Sequence, residues 1–405
     1  MNKIDSYNKY NCCGCTACAT VCKKKAIKME PDIMGFLYPM IDDDVCVDCG
    51  KCLKVCQFKS DYKRVNNLIE PLVYGIRHKS DEELKKSQSG AASWAIIETF
   101  LDKSGVVYGA AFDNSFHVVH KRATTIEEAQ EFRGSKYVQS DLRGVFESIK
   151  TDLLKGERVL FIGTGCQVAG LKAAIPEKYQ EKLFTVDLVC HAAPSPSVWE
   201  EYIKSVQDKY RSKVISADFR NKKYGWHSHR ETFNLANGLE INSEVFKYLF
   251  YDHLIIRKSC TKCPFTNLKR VSDMTIGDFW GWEKYYKEWN DNKGVSLLLI
   301  NSLRGEKFFN VLKTKVAFIK SDPSKCLQPQ LIGPSKVNKR KLEEAEEIFR
   351  KRGFEVLKTK YSRKSFRYRI SHIIPSLTKR LYYRLMPIRK FFNLILNKLI
   401  NICRL

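Results

Sequence analysis

Eight of the nine cysteines in the first sixty residues form two identical runs, Cys12-x2-Cys15-x2-Cys18-x3-Cys22 and Cys46-x2-Cys49-x2-Cys52-x3-Cys56, offset throughout by 34 positions. The constant offset marks an internal repeat. Four thiolates within eleven residues wrap a short loop around a cubane, with three ligands on one cluster and the fourth reaching the other. The spacing therefore predicts two 4Fe-4S clusters, one on Cys12, Cys15, Cys18 and Cys56 and the other on Cys46, Cys49, Cys52 and Cys22, and a chain that moves single electrons.

Zinc ribbons also use Cys-x2-Cys pairs, but they need two thiolates per knuckle, whereas each run offers four. The opening MNKIDSYNKY has no apolar signal segment, so disulfides are not expected and the chain reads as cytoplasmic. Cys13 lies outside the pattern and reads as a spare. The proline that usually follows the fourth cysteine is replaced by Lys23 and Gln57.

At 405 residues with 44% hydrophobic content, the chain has room for two or three domains and a second function. No run of about 18 apolar residues is present, so no membrane span is expected. A net charge of +25 raises nucleic acid or an anionic membrane as partners. The distribution matters more, because residues 356 to 405 hold thirteen Lys or Arg and no Asp or Glu.

Along the chain, the ferredoxin module is expected at residues 1–62, with a polar linker KSDYKRVNN after Phe58. Two parts of a larger domain follow at 71–150 and 151–335, and a basic helical tail at 336–405. Helices are predicted over 92–102, 142–154 and 199–208, with another starting near Gln167. Strands are predicted over 106–112, 117–121, 158–162, 184–189, 214–219 and 295–301. Gly163-Thr164-Gly165-Cys166 reads as a glycine-rich turn between strand and helix. This alternation gives an α/β fold, α+β overall: a bacterial-type ferredoxin module, a domain with a mixed, partly parallel sheet, and a basic helical C-terminal tail. Ligands then belong at the carboxyl ends of the parallel strands.

Cys166 and Cys190 each follow a predicted strand, and Cys260-x2-Cys263 forms a ligand-like pair. Spacing leaves three readings open for these four: a third 4Fe-4S cluster, a zinc site, or ordinary buried cysteines. Cys326 and Cys403 receive no role.

The segments Ser87–Ala91, Arg133–Ser140, Gly163–Leu171, Val189–His191, Asp218–Arg220, Cys260-x2-Cys263 and Ser272–Gly281 together resemble the beta-subunit family of coenzyme F-420 hydrogenase and dehydrogenase, from about residue 71 to 320. The resemblance implies one FAD and a nearby third cluster with Cys166, Cys190, Cys260 and Cys263 as ligands. It also implies an oxidoreductase that splits a hydride into single electrons. The family's usual Thr-Pro-Cys-Gln is here Thr164-Gly165-Cys166-Gln167, a less rigid sequence.

A dinucleotide pyrophosphate favours glycine-containing turns, small hydroxyls and a cation. Ser89, Gly90, Gly134, Ser135, Lys136, Gly163 and Thr164 supply them, while Tyr137 is a candidate to cover a flavin face. Plain turns and a solvated lysine are the ordinary readings of such residues. Lys136 is the candidate charge near the pyrophosphate or the flavin N1–C2=O edge. His191 is a candidate proton shuttle or a group hydrogen-bonded near the cluster, and Asp278 a candidate to orient the cluster loop. The loop Arg220 to His229, RNKKYGWHSH, is basic and aromatic enough to dock an anionic partner.

In the tail, Leu381, Leu385, Ile388, Phe392, Ile395 and Leu399 recur at helical spacing among basic residues, interrupted by Pro375 and Pro387. Such a helix suits the inner surface of an anionic membrane or a partner subunit. No groove-reading or RNA-binding module is legible, so no nucleic acid is expected. Together these readings predict a reductase or dehydrogenase working between a ferredoxin or other one-electron carrier and an organic hydride partner whose identity the sequence does not disclose. Two alternatives are an electron-input subunit of a hydrogenase or dehydrogenase complex, and a non-catalytic, membrane-associated accessory protein of polysaccharide synthesis.

Overall fold

The 34-residue repeat is written into the backbone. Gly14 and Thr16 take positive φ of 68° and 66°, and their counterparts Asp48 and Gly50 take 50° and 68°. Each pair of left-handed residues coils the chain around its cysteines and launches a one-turn helix, Ala17–Thr20 or Lys51–Lys54. Between the runs, β1 (Ile27–Pro31) and β2 (Leu37–Ile41) form an antiparallel hairpin in register Ile27 to Ile41. The Asp32 carboxylate accepts from the Met34 and Phe36 amides at 3.0 Å and tightens the hairpin turn.

The computed structural model describes residues 3–4, 8–58, 68 and 70–361. The expected linker at 59–67 and the apolar stripe of the tail, with Cys403, lie outside the described residues.

The larger domain is built on an eight-stranded sheet. Its strands are β3 (Leu72–His78), β4 (Val106–Phe112), β5 (Val118–Ala123), β6 (Val159–Thr164) and β7 (Leu183–Leu188). A separate three-stranded antiparallel sheet then intervenes: β8 (Val214–Asp218), β9 (Glu231–Leu235) and β10 (Glu240–Ser243). β11 (Met274–Asp278), β12 (Ser296–Ile300) and β13 (Val316–Ser321) complete the large sheet, in the order β13-β3-β12-β11-β7-β6-β4-β5. The four inner strands β4, β6, β7 and β11 are parallel, and antiparallel strands close both sides. The fold is therefore mixed α/β with a partly parallel sheet, as the alternation predicts.

Two local expectations change. Gly163 and Thr164 are not a turn but the end of β6, and the helix Gly165–Ala174 begins at the next residue. A capping box makes this abrupt junction possible: Gln167 Oε1 accepts from the Thr164 amide at 2.8 Å while Thr164 caps the helix in return. Gly163 has no room for a side chain, because a Cβ there would come within 2.7 Å of the Phe161 ring. The predicted strand at 214–219 lies in the small sheet, whose inner face packs on helix Pro196–Tyr210 through Trp199, Tyr202, Phe219 and Phe233. Helix Lys339–Tyr361 joins the same core through Leu342, Ala345, Phe349, Phe354 and Leu357. No helix among the described residues is long and apolar enough to cross a membrane.

Candidate redox site

The parallel strands end on one edge, and register places Thr164 of β6 beside Leu188 of β7, which in turn faces Ile276 of β11. Cys166 follows the first of these strands by two residues and Cys190 the second. At this edge lies a cavity of about 810 Å³, within the roughly 300–1,000 Å³ range of cofactor sites. Cys166, Cys190, Cys260 and Cys263 line one part of it, and Ser89, Gly134, Ser135, Lys136, Tyr137, Gly163 and Thr164 line another. Lys136, His191 and Asp278 are on its wall as well.

The thiols gather in sets. Burial, and after it the Cys260, Cys166 and Cys263 thiols, hold the Cys190 thiol well above its ordinary value. In the ferredoxin module, burial and then Cys15, Cys12 and Cys56 do the same to Cys18. Donors crowded so that each disfavours its neighbour's ionisation fit a polynuclear cation that takes up all four as thiolates and offsets most of their mutual repulsion. Among the described residues no three His, Cys, Asp or Glu stand close enough to grip a single metal ion. A cubane binds each thiolate on a different iron and does not require that closeness. Seven of the eight motif cysteines are half-buried and Cys49 alone is exposed, so the set Cys22, Cys46, Cys49 and Cys52 is the one that opens outward.

Cys166 differs from its partners. Hydrogen bonding from Cys13, opposed by burial and aided by Thr164 Oγ1 at 3.1 Å, draws its thiol down to about 7. Cys13, a spare by spacing, is buried and lies between Cys15 and Cys166. Gln57 Nε2 donates to Cys13 Sγ at 2.8 Å and to the Cys166 carbonyl at 2.6 Å. The glutamine that stands where a proline is usual is thus a bridge between the two modules, and the missing proline was its signal in the sequence. Gly170 carries another contact, since a Cβ there would lie 2.6 Å from Cys15 Sγ.

The dinucleotide candidates occupy varied positions. Ser89 (φ 49°) and Ala91 (φ 62°) are left-handed, and Ser89 Oγ donates to the Val295 carbonyl at 2.7 Å. Gly90 sits behind the cavity wall, its amide on Ser296 Oγ at 2.9 Å, and a Cβ there would come within 2.1 Å of the Ile76 carbonyl. Gly134 (φ 75°) is exposed, with nothing within 4 Å of the place a Cβ would take. Lys136 Nζ donates to the carbonyls of Glu131 and Arg133 at 2.7 Å, and withdrawal from water lowers its ammonium to about 7. Tyr137 packs against Phe219 and Phe250.

Asp278 holds Arg220 Nη1 at 2.5 Å, and the same nitrogen reaches Tyr137 Oη at 3.3 Å. Arg220 is 2% exposed, and its Nε has no hydrogen-bond partner among the described residues, so the cavity wall keeps a donor in reserve. His191 stacks on His253 with ring centroids 4.9 Å apart. Gln330 engages its Nδ1 at 2.7 Å and His253 its Nε2 at 3.0 Å. Burial, then His253, lowers His191 to about 4 and leaves it neutral at pH 7. In the loop Arg220 to His229, Trp226 is buried and stacks on Trp280, while burial and the Arg220 charge lower His229 to about 4. The contacts of Gly170, and those of Gln57 beyond its place after the cysteine run, were not legible in the sequence because each acts across the junction of two modules.

Residues 156–325 match the family model for the C-terminal part of the coenzyme F-420 hydrogenase/dehydrogenase beta subunit, and residues 11–60 match a 4Fe-4S dicluster domain. No curated protein matches the chain. Among solved structures, a chain of the F-420-reducing NiFe hydrogenase complex from Methanosarcina barkeri, studied by xenon derivatization, is similar at 17% identity. The match covers 73% of this chain and 95% of that chain, with a TM-score of 0.47. With its N-terminal dicluster module, the chain is an iron–sulfur electron-transfer protein whose residues 156–325 match the C-terminal part of the coenzyme F-420 hydrogenase/dehydrogenase beta subunit.

Proposed function

We propose that the chain is an iron–sulfur flavoprotein oxidoreductase with three 4Fe-4S clusters and one FAD, working between a ferredoxin or other one-electron carrier and an organic hydride partner. The observation that carries this reading is the cavity on which four gathered thiols and the pyrophosphate candidates meet, with Gln57 of the ferredoxin module hydrogen-bonded to Cys166 at its edge. When bound, the clusters carry single electrons and the flavin exchanges two of them as a hydride.

Cys12, Cys15, Cys18 and Cys56 would hold one cluster and Cys46, Cys49, Cys52 and Cys22 the second. Cys166, Cys190, Cys260 and Cys263 would hold the third. The reserve donor on Arg220 and the amides around Gly134 and Ser135 suit an anionic dinucleotide. Lys136, with its ammonium near 7, adds positive charge at neutral and lower pH. Asp278 aims Arg220, and Arg220 in turn fixes the Tyr137 phenol beside the cavity. His191 is neutral, with Gln330 on its Nδ1 and His253 on its Nε2, so both ring nitrogens are held in hydrogen bonds. The basic tail is assigned to an anionic membrane surface or a partner subunit. Reduction of the substrate by a low-potential carrier is the favoured direction.

Strictly anaerobic purification with iron, sulfide and flavin counted per chain tests this. About twelve irons and one FAD support it. About eight irons without flavin would leave a ferredoxin fused to a scaffold and remove the catalytic assignment.

A further inference from the structure

Arg257 is a buried cation from the larger domain that reaches into the ferredoxin module. It is 1% exposed, and among the described residues no carboxylate lies within ion-pair distance of it. Each nitrogen of its fork is engaged, by neutral acceptors and one sulfur. Nε donates to the Cys12 carbonyl at 2.7 Å, Nη1 to Gln139 Oε1 at 2.9 Å, and Nη2 to the Leu37 carbonyl at 2.8 Å and to Cys12 Sγ at 3.5 Å. Its guanidinium carbon stands 4.2 Å from the centre of the Tyr38 ring, and the ionisable groups that act on it are Cys12, Tyr38, Cys13 and Cys260.

The placement is built from both sides. The Arg257 carbonyl accepts from the Cys260 amide at 3.0 Å, so the cation is anchored three residues before a thiol of the second domain. In the ferredoxin module Gly14 (φ 68°) leaves the space it needs, because a Cβ there would fall 2.9 Å from Nη1. The Gly14 amide also points at Cys12 Sγ, at 3.4 Å. Cys12 Sγ therefore accepts from an amide and from a guanidinium that cannot lose its proton.

An unpaired charge in a dry interior is unfavourable unless something compensates it. We infer that the compensating charge is the iron–sulfur cluster on Cys12, and that Arg257 is a positioning residue that raises this cluster's reduction potential relative to the outward-facing one. Hydrogen bonds to cluster sulfurs and nearby positive charge both favour the more negative, reduced form, and a low local dielectric strengthens the effect. Arg257 thus makes the inward end of the ferredoxin module, beside the Cys166 and Cys260 thiols, the favoured seat for an electron. The inference rests on the proposed assignment of Cys12 as a ligand, which C12S tests separately through loss of about four irons per chain.

The experiment is an anaerobic, EPR-monitored redox titration of the full chain and of R257M and R257K, each with iron counted. R257M should shift one midpoint to lower potential and leave the others in place. R257K, which keeps the charge but not the fork, should shift the same step by less. The step that moves should persist in C49S, which removes a ligand from the outward set. Identical titrations of iron-loaded parent, R257M and R257K would overturn the inference, as would a shift confined to the step lost in C49S. Should R257M fail to load iron, R257K decides alone: an unchanged midpoint overturns the inference and a lowered one supports it. Full iron in C12S would instead overturn the ligand assignment, whatever the potentials.

Discussion

Replacing Gly170 by alanine separates the packing of the two modules from ordinary helix chemistry. Gly170 lies inside helix Gly165–Ala174, where Gly→Ala normally stabilises by about 0.5–1 kcal/mol. Here the added methyl would stand 2.6 Å from Cys15 Sγ and 2.8 Å from Cys15 Cβ. That is about 1 Å inside the ~3.5–4.0 Å of an unstrained contact. Overpacking of this kind costs about 1–3 kcal/mol, so the net effect should be a loss on the order of 1 kcal/mol, opposite in sign to the helix expectation. Cys15 is a ligand candidate, so the iron content should fall with stability. The assay is guanidinium unfolding under argon, with iron per chain measured on the same samples. G134A is the control: its methyl meets nothing within 4 Å, so only backbone strain of about 1–2 kcal/mol at positive φ applies and iron should be retained. A G170A protein as stable as the parent, with undiminished iron, would refute the seating of the ferredoxin module on this helix.

Gln57→Leu removes donors from Cys13 Sγ and the Cys166 carbonyl and should destabilise by about 1–3 kcal/mol, measured as a lower guanidinium midpoint. Arg270→Met should cost about 3–5 kcal/mol, because Asp187, 0% exposed, would lose the cation 2.9 Å away. Adding Asp187→Leu should recover part of that loss. Lys136 has a folded-state pKa lowered to about 7 from 10.5, so the unfolded chain binds the extra proton between these values and stability should rise with pH across that window. K136M should flatten the slope, and FAD affinity of the parent should fall as pH rises above about 7. Cys190→Ser should reduce iron by about four per chain while the EPR signals of the N-terminal module persist.

Much of the site was legible because its signals are local. The cysteine runs follow from a fixed spacing, and the strand-end positions of Cys166 and Cys190 follow from apolar runs that stop just before them. The sheet order was not legible, because β3, β12 and β13 pair antiparallel across more than two hundred residues and no local pattern records the partner. Gly163 shows how composition misleads: its glycine serves close packing on Phe161, not a turn. The roles of Cys13, Gly170 and Arg257 depend on which surfaces meet when two folded modules dock, and an isolated segment carries no trace of that.

The hairpin turn of the ferredoxin module rests on the larger domain as firmly as its cysteine loop does. The Met34 carbonyl accepts from Ser195 Oγ at 2.6 Å and from the Ser197 amide at 3.2 Å, and Gly35 is a glycine because a Cβ would strike Ser197. With the contacts at Gln57, Gly170 and Arg257, this fastens the module on several sides, so it is a soldered joint and not a carrier on a swinging arm. Electron passage from the module to the third cluster proposed at Cys166 would then wait on no domain excursion of the microsecond-to-millisecond kind, and internal turnover should be indifferent to solvent viscosity.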